Sequence, residues 1–353
     1  MGAALILTGA GLLPGPLLAA SKAKAAGPGE FWQMSLDGGR SLTWERSFRS
    51  ESEVKPNRGF WNKLVDIIAG APEYHSLVRP YSIAVDSHGR ILVTDPGAQG
   101  VHIFDFAGRK YKFIQRTGKT NDSMLMPQCI AVDDQDNIYV TDSDAGMIFV
   151  FEPSGKYVRT LGKLKGGEGY FKRPTGIAVD SAAQRIYVSD TLRDQVFVLD
   201  MEGTVVKTIG KTGDAAGDFY YPTELRLDGP DLIVVDALNF RVQVFDRGGT
   251  YKYAIGKIGD SAGAIFRPKA VSVDSEGDLY VVDALWGVVQ VFNRQGQLLY
   301  YFGAKGTHAG EFQLPSGMYI DQADRVFVVD SFNRRVQEFQ YVGLKKPANG
   351  GGQ

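Results

Sequence analysis

Short segments that alternate apolar and polar residues follow one another along most of the chain. The first clear group starts near residue 80 and reads SIAVDS, ILVTD, VHIFDF and YKFIQRT, with Gly and Asp in the turns between them. Period-two alternation of β-branched and aromatic residues is typical of β-strands, and short polar turns favour antiparallel pairing. The pattern therefore predicts an all-β chain built from four-stranded antiparallel units.

This four-stranded unit recurs six times in one register. Three columns of residues mark it: a proline before the first strand, an aspartate that ends the second strand, and an apolar residue that ends the third. The prolines are Pro80, Pro127, Pro174, Pro222, Pro268 and Pro315. The aspartates are Asp95, Asp142, Asp190, Asp236, Asp283 and Asp330. The apolar residues are Phe104, Phe151, Leu199, Phe245, Phe292 and Phe339. Radial repetition of four-stranded units predicts a six-bladed β-propeller.

The sixth unit has only three strands of its own, because a polar, glycine-rich tail at 344–353 follows them. The segment 41–48, SLTWERSF, also alternates apolar and polar residues and precedes the first blade. We therefore expect it to complete the last blade, to cover its exposed edge and to close the ring. The propeller would then span 41–343, with an apolar-striped helix at about 58–69 across the loop face and a disordered tail.

The N-terminal stretch at 1–26 is rich in apolar and small residues. An apolar core followed by small-residue sites is typical of a secretory signal, so we expect a periplasmic or secreted protein. Glycines and prolines interrupt the apolar run, which disfavours an uncleaved membrane anchor. No Lys or Arg precedes the run, so the true start codon and the cleavage site stay open. Residues 27–40 are expected to form a linker.

A motif in the inter-blade loops adds a family resemblance. The pattern G-x-x-G-x-x-x-G-x-F-x-x-P, present as GKTGDAAGDFYYP and GAKGTHAGEFQLP and followed by a strand ending in Val-Asp, resembles the NHL repeat. The resemblance covers 41–343 and is to NHL propellers of the exported bacterial type. It implies six blades. It does not imply one function, because the family includes RNA binders, protein-binding sensor domains and a metal-dependent lyase.

Composition excludes some classes of function. The 39 basic and 40 acidic residues leave a net charge of −1, which argues against a polybasic clamp for nucleic acid. Lysines recur after the fourth strands, and Arg173, Arg267 and Lys269 join them in the inter-blade loops, which could form a basic ring for phosphates. Acidic residues share these loops, so we interpret the basic positions as solvated. The single cysteine, Cys129, allows no intrachain disulfide, and we expect it to be buried.

Candidates for catalysis are few. The lyase branch of the NHL family holds zinc with three histidines, and only His75 and His308 of the four histidines share the inter-blade loop face. His88 lies in a turn on the opposite face, and His102 takes a strand position that is glutamine in other blades. We therefore expect no catalytic residue, no metal and no cofactor. The six strand-ending aspartates are interpreted as acceptors of backbone N–H groups in Asx-type turns.

A departure from the repeat points to binding instead. Large apolar residues follow the strand-ending aspartate by two positions in blades three to six, where a small residue is usual, and aromatic and basic residues lie nearby. The candidate binding residues are Leu192, Arg193, Leu238, Phe240, Leu285, Trp286, Phe332 and Arg335. Aromatic and arginine residues at the rim of a rigid scaffold are typical of protein-binding hot spots. The alternative is that the leucines pack beneath phenylalanines of the inter-blade loops.

These patterns favour a non-catalytic protein-binding or scaffolding propeller in the cell envelope or outside the cell. We expect a monomer whose partner is another envelope or extracellular protein and that binds no nucleic acid. Contact with a membrane would occur only through an uncleaved N-terminal segment. Two alternatives stay open: a metal-dependent lyase or hydrolase with its site at the channel mouth, and a sensor of peptides or glycans.

Overall fold

The computed structural model describes residues 32–54, 74–115, 117, 123–259 and 263–344. The predicted export segment at 1–26, the predicted helix at about 58–69 and all but the first residue of the predicted tail lie outside these ranges. Within them, none of the helices is both long and apolar enough to cross a membrane.

The described residues form six antiparallel sheets arranged as the blades of a propeller. Two strands precede the blades: β1 (Gln33–Ser35) and β2 (Ser41–Phe48). Blade 1 contains β3 (Ile83–Val85), β4 (Ile91–Asp95), β5 (Gly100–Asp105) and β6 (Lys110–Ile114). Blade 2 contains β7 (Pro127–Val132), β8 (Ile138–Asp142), β9 (Met147–Phe151) and β10 (Tyr157–Leu161). Blade 3 contains β11 (Pro174–Asp180), β12 (Arg185–Asp190), β13 (Gln195–Leu199) and β14 (Val205–Ile209).

Blades 4 to 6 follow the same order, from the innermost strand outward. Blade 4 contains β15 (Pro222–Asp228), β16 (Asp231–Asp236), β17 (Arg241–Asp246) and β18 (Tyr251–Ile255). Blade 5 contains β19 (Pro268–Val273), β20 (Leu279–Asp283), β21 (Val288–Phe292) and β22 (Leu298–Phe302). Blade 6 contains β23 (Met318–Ile320), β24 (Arg325–Asp330) and β25 (Arg335–Val342). Short 3-10 helices occupy Asp37–Gly39, Glu51–Glu53, Ala237–Asn239 and Ser331–Asn333.

The N-terminal strand closes the ring, as the sequence predicts. Strand β2 pairs antiparallel with β25, which places Leu42 opposite Tyr341 and Phe48 opposite Val336. The structure differs from the sequence-based expectation in the predicted linker at 27–40, where β1 pairs with β2 and makes blade 6 five-stranded. Met34 and the adjoining Trp32 are buried against blade 6, because apolar residues alternate with polar ones over this short stretch.

Apolar side chains fill the spaces between neighbouring blades. Each of the six buried clusters found among the described residues combines residues of two adjacent blades. The cluster between blades 6 and 1 includes Phe48 of the closing strand with Phe104 and Phe327. Burial of one such ring stabilises the fold by roughly 2–3 kcal/mol, so the closing strand ties the last blade to the first.

The aspartates that end the second strands are structural, which confirms their interpretation from the sequence. All six are fully buried. Asp95 accepts the backbone N–H groups of Val78 and Arg79 at 2.6 and 2.9 Å, and that of Ala98 in its own turn at 3.0 Å. Burial alone would raise the pKa of Asp95, but these bonds and the side chain of His102 hold it below its usual range. Each aspartate thus fixes an inter-blade loop to its own blade.

Candidate functional site

Two sets of loops lie on the same face of the propeller, which we call the top face. They are the inter-blade loops and the loops that join the second and third strands of each blade, and the strand-ending aspartates bind both. Five large apolar side chains of blades 3 to 6 project from the second set and form what we call the rim patch. They are Leu192, Leu238, Leu285, Trp286 and Phe332, with exposed fractions of 52, 57, 37, 49 and 55%.

The rim patch is exposed because the loops beneath it are already packed. Phe171, Phe219 and Phe312 of the inter-blade loops are buried without covering it, so the leucines do not pack beneath them. At the base of the blade 4 loop, Asn239 donates hydrogen bonds to Asp236 at 2.8 Å and to the Gly213 carbonyl at 2.9 Å. The equivalent asparagine of blade 6 makes the same pair of bonds. Leu238 and Phe332 therefore stand at the tips of fixed turns.

Two other sequence-predicted binding residues, Arg193 and Phe240, have different surroundings. Arg193 is half-buried, with its guanidinium 4.8 Å from the ring centre of Tyr170. Phe240 is half-buried and contacts Phe266 edge-on, and Phe266 contacts Trp286 of the rim patch in the same manner.

Arg335 must be removed from the predicted binding surface. Its guanidinium is buried, because it bonds Asp330 at 2.7 Å and the carbonyls of His308 and Glu311 at 2.8 and 3.0 Å. The side chain fastens an inter-blade loop to blade 6. A signal for this role is present in the sequence: Arg241 stands five residues after the aspartate of blade 4, as Arg335 does in blade 6, and it makes the same ion pair at 2.8 Å.

The centre of the top face carries a group of cations that includes Arg173, Arg267 and Lys269, which the sequence analysis places together in the inter-blade loops, and Arg79, which it does not name. Arg79, Arg173 and Arg267 each precede the proline that starts a blade, in blades 1, 3 and 5. Each donates its backbone N–H to the strand-ending aspartate of its own blade, at 2.9, 3.0 and 3.2 Å. The three exposed residues therefore occupy equivalent positions around the mouth of the central channel.

Lys269 completes this group, which we call the mouth cluster. It follows the blade 5 proline, and its Nζ atom lies 6.0 Å from the ring centre of Tyr81 in blade 1. Because blade 6 lies between these two blades, the side chain reaches across the channel mouth. Burial, followed by the charges of Arg267, Arg173 and Arg79, lowers the pKa of Lys269 to about 8.

Acidic side chains do not neutralise the mouth cluster within the described ranges. None of its four members forms an ion pair there, and Arg173 instead donates a hydrogen bond to the Tyr221 hydroxyl at 3.1 Å. The buried carboxyl of Glu224, in the first strand of blade 4, already binds Arg226 at 3.1 Å. Burial raises the pKa of Glu224 to about 8 despite Arg226, so this carboxyl is mostly protonated at neutral pH.

The channel below the mouth is narrowed by one side chain. Arg226 of blade 4 donates a hydrogen bond to the Met318 carbonyl of blade 6 at 2.7 Å and lies 4.9 Å from the Tyr319 ring centre. A cavity of about 250 Å³ is lined by residues from the first strands of all six blades, including Arg226, Asp228 and Tyr319. The mouth is therefore the charged end of a channel that Arg226 crosses inside.

The histidines of the top face do not come together. His75 pairs with Glu51 at 3.1 Å, His308 pairs with Glu311 at 2.9 Å, and His102 is buried within blade 1. The two loop histidines that the sequence could place near each other thus bind separate carboxylates. Cys129 is buried, as expected, and burial raises the pKa of its thiol to about 12, which keeps it protonated at neutral pH.

A group with metal-ligand spacing lies on the opposite face. In the described part of the chain, only Asp86, His88 and Asp136 bring three such ligand atoms within 4.8 Å of one another. Asp136 also accepts hydrogen bonds from the backbone and hydroxyl of Ser87, at 2.9 and 2.6 Å. The same serine–aspartate contact joins blades 5 and 6 without a histidine, so we assign it to the connection between blades.

Comparison with known proteins agrees with this architecture. A family model, DUF5128, described as a 6-bladed beta-propeller, matches residues 119–188 and 177–236. The chain folds as a six-bladed β-propeller. The NHL resemblance rests on the repeat motif alone. A search of curated proteins finds no match.

Solved structures share the fold at low sequence identity. A streptogramin B lyase is 14% identical with a TM-score of 0.54, over 74% of this chain and 93% of that one. An auxiliary nutrient binding protein from Bacteroides thetaiotaomicron VPI-5482 is 14% identical with a TM-score of 0.57, over 74% of this chain and 69% of that one. A protein of unknown function from the same organism is 12% identical with a TM-score of 0.59, over 88 and 83%. At this identity the likeness shows the fold alone.

Proposed function

We propose that the protein is a non-catalytic binding or scaffolding propeller that holds a partner protein on its top face, in the periplasm or outside the cell. The exposed rim patch carries this proposal. Large apolar side chains that remain in solvent at the tips of fixed turns are typical of protein-binding surfaces. Their burial in an interface would recover the free energy that their exposure costs.

The scaffold supports this use of the rim patch. The loops are tied to the blades by buried aspartates and asparagines, so binding would order few new groups and lose little conformational entropy. The edge-on contacts of Phe240, Phe266 and Trp286 extend the patch between blades 4 and 5. The sequences of such loops can vary without disturbing the blades, so a propeller is well suited to recognise different partners.

The partner is proposed to be an envelope or extracellular protein because the stretch at 1–26 resembles a secretory signal. The catalytic alternative has weaker support. On the described top face, His75 and His308 pair with separate carboxylates and the Cys129 thiol is buried, so neither histidine is placed to activate that thiol.

Affinity capture from the native envelope fraction tests the proposal. Wild type is compared with Trp286→Glu/Phe332→Glu, and with a control, Val158→Glu/Val206→Glu, that adds the same charges to exposed positions of outer strands. We expect wild type and the control to recover one protein at 1:1 stoichiometry, and the rim variant to lose it while its melting temperature is unchanged. Equal recovery by the rim variant would overturn the proposal.

A further inference from the structure

We propose that the mouth cluster is a carboxylate-binding site that receives an acidic segment of the partner protein. This inference rests on the proposed function, because it assigns the chemistry of the partner at the centre of the same face. Arg79, Arg173, Arg267 and Lys269 would bind the carboxylates, and the rim patch would contact the apolar residues that flank them.

The first argument is the position of the four cationic residues around the channel mouth. The three arginines are held at equivalent sites by the same backbone hydrogen bond to a buried aspartate, so their convergence follows from the symmetry of the repeat. Lys269 extends over the mouth to Tyr81, and Arg173 is oriented by the hydroxyl of Tyr221. Four cationic side chains from three different blades therefore surround one opening.

The second argument is that, among the described residues, no side chain of the mouth cluster forms an ion pair with a carboxylate. Arginines elsewhere in the repeat find carboxylates: Arg241 binds Asp236 at 2.8 Å, and Arg294 binds Asp231 at 2.8 Å. The mouth cluster has no such partner, although like charges held close together destabilise the fold. The effect is visible in Lys269, whose pKa is lowered to about 8 by burial and by the three arginines. A bound anion would relieve this repulsion.

The interior of the channel adds to the positive potential. Burial raises the pKa of Glu224, which pairs with Arg226, to about 8, so this carboxyl carries little negative charge at pH 7. Arg226 lies deeper and gives two of its hydrogen bonds to carbonyl oxygens, of Met318 and Val271. A carboxylate that enters the mouth therefore meets cations along its path.

The surroundings favour an acidic polypeptide over a nucleic acid. Leu238, Leu285 and Phe332 stand around the mouth as exposed apolar groups, which contribute little to the binding of a phosphate backbone. A peptide with clustered acidic side chains and apolar flanks matches both the centre and the rim.

Calorimetric titration with short probes tests the inference. The probes are a capped tetraglutamate peptide, a capped tetraglutamine peptide and a ten-residue thymidine oligonucleotide, at low ionic strength. We expect wild type to bind tetraglutamate and not tetraglutamine. Arg173→Gln/Arg267→Gln should weaken tetraglutamate binding by about tenfold or more, because two of the four cations that face the peptide are lost. Arg173→Lys should keep most of the affinity.

A matched control variant shows whether the loss of affinity is specific to the mouth cluster. Lys165→Gln removes an exposed cation from the same face outside the mouth and should leave the affinity unchanged. Equal affinity of wild type and Arg173→Gln/Arg267→Gln for tetraglutamate, or binding of the oligonucleotide in preference to it, would overturn the inference.

Tetraglutamate binding by Trp286→Ser/Phe332→Ser separates this inference from the proposed function. If this rim variant binds the peptide but not the captured partner, both hold. If wild type binds the partner and not the peptide, the carboxylate site alone fails. If wild type binds the peptide but the rim variant also keeps the partner, the proposed function of the rim patch fails instead.

Discussion

The Nζ atom of Lys269 in blade 5 lies 6.0 Å from the ring centre of Tyr81 in blade 1. This contact spans the channel mouth past the intervening blade 6 and places a cation at the centre of the top face. The rim patch surrounds that centre on blades 3 to 6. A charged mouth within an apolar rim is the arrangement that the proposed binding function uses.

The protonation of Lys269 should control carboxylate binding at the mouth. Because its pKa is lowered to about 8, Lys269 loses its charge as pH rises from 7 to 9, and the affinity for tetraglutamate should fall several-fold over this interval. Lys269→Arg keeps the charge at pH 9 and should remove most of this dependence. Calorimetry at pH 7 and pH 9 measures the affinity of both proteins for tetraglutamate. The same affinity at the two pH values in wild type would contradict the prediction.

The buried carboxyl of Glu224 should make the fold less stable as pH rises. Its pKa is raised to about 8 by burial, so the folded state favours the protonated form more than the unfolded state does. The stabilisation is complete below pH 4.5 and is lost as pH rises through about 8, for a total on the order of a few kcal/mol. In Glu224→Gln the free energy of unfolding should vary less between pH 5 and pH 8. Chemical denaturation of both proteins measures this, and identical pH dependence would exclude the assignment.

Removal of packing from the closing strand should destabilise the whole ring. Leu42 in β2 is fully buried opposite Tyr341 of β25, so Leu42→Ala should cost about 2–5 kcal/mol through lost burial and the cavity left behind. Glu45→Ala, at an exposed position of the same strand, should change the free energy of unfolding by less than about 0.5 kcal/mol. Denaturant titration compares them. Similar stability of the two variants would mean that β2 does not close the propeller.

Loss of one strand-ending aspartate should loosen the loops of its blade. Asp283 accepts the backbone N–H groups of Phe266, Arg267 and Leu285 at 2.7, 3.2 and 3.1 Å. Asp283→Ala leaves these donors unpaired and should cost about 2–4 kcal/mol, because a buried donor without an acceptor carries most of its desolvation penalty. Amide hydrogen exchange should increase in the loops of blade 5. Asp144→Ala, with an exposed carboxyl, is the control, and equal protection in both variants would contradict the role of Asp283.

The sequence predicts the architecture well because every blade repeats the same physical requirements. The proline and aspartate columns set the strand boundaries, and the missing outer strand of blade 6 indicates that β2 must close the ring. Strand β1 escapes prediction because three residues, Gln33–Ser35, are too few for alternation to stand out. Burial of Trp32 and Met34 beside blade 6 is a long-range contact that the local pattern does not show.

The sequence does not show which way each side chain points, and this limits how well the candidate site can be predicted from it. Exposure of Leu238 and Phe332 follows from their position after the strand-ending aspartate, but Arg335 has the same neighbourhood in sequence and points inward to Asp330. From the sequence, Arg173, Arg267 and Lys269 are placed in the inter-blade loops but interpreted as solvated, and Arg79 is not named, so the mouth cluster is not predicted as a binding site. Its signal was the recurrence of arginine directly before the blade proline at Arg79, Arg173 and Arg267, in alternate blades.

The central claim is that the rim patch binds a partner protein. The most direct test is the dissociation constant of the purified captured partner for wild type, for Trp286→Glu/Phe332→Glu and for Val158→Glu/Val206→Glu. Loss of two central aromatic contacts should raise the constant by about a hundredfold or more in the rim variant and leave it unchanged in the control. The same dissociation constant for wild type and the rim variant, with both proteins folded, would contradict the account.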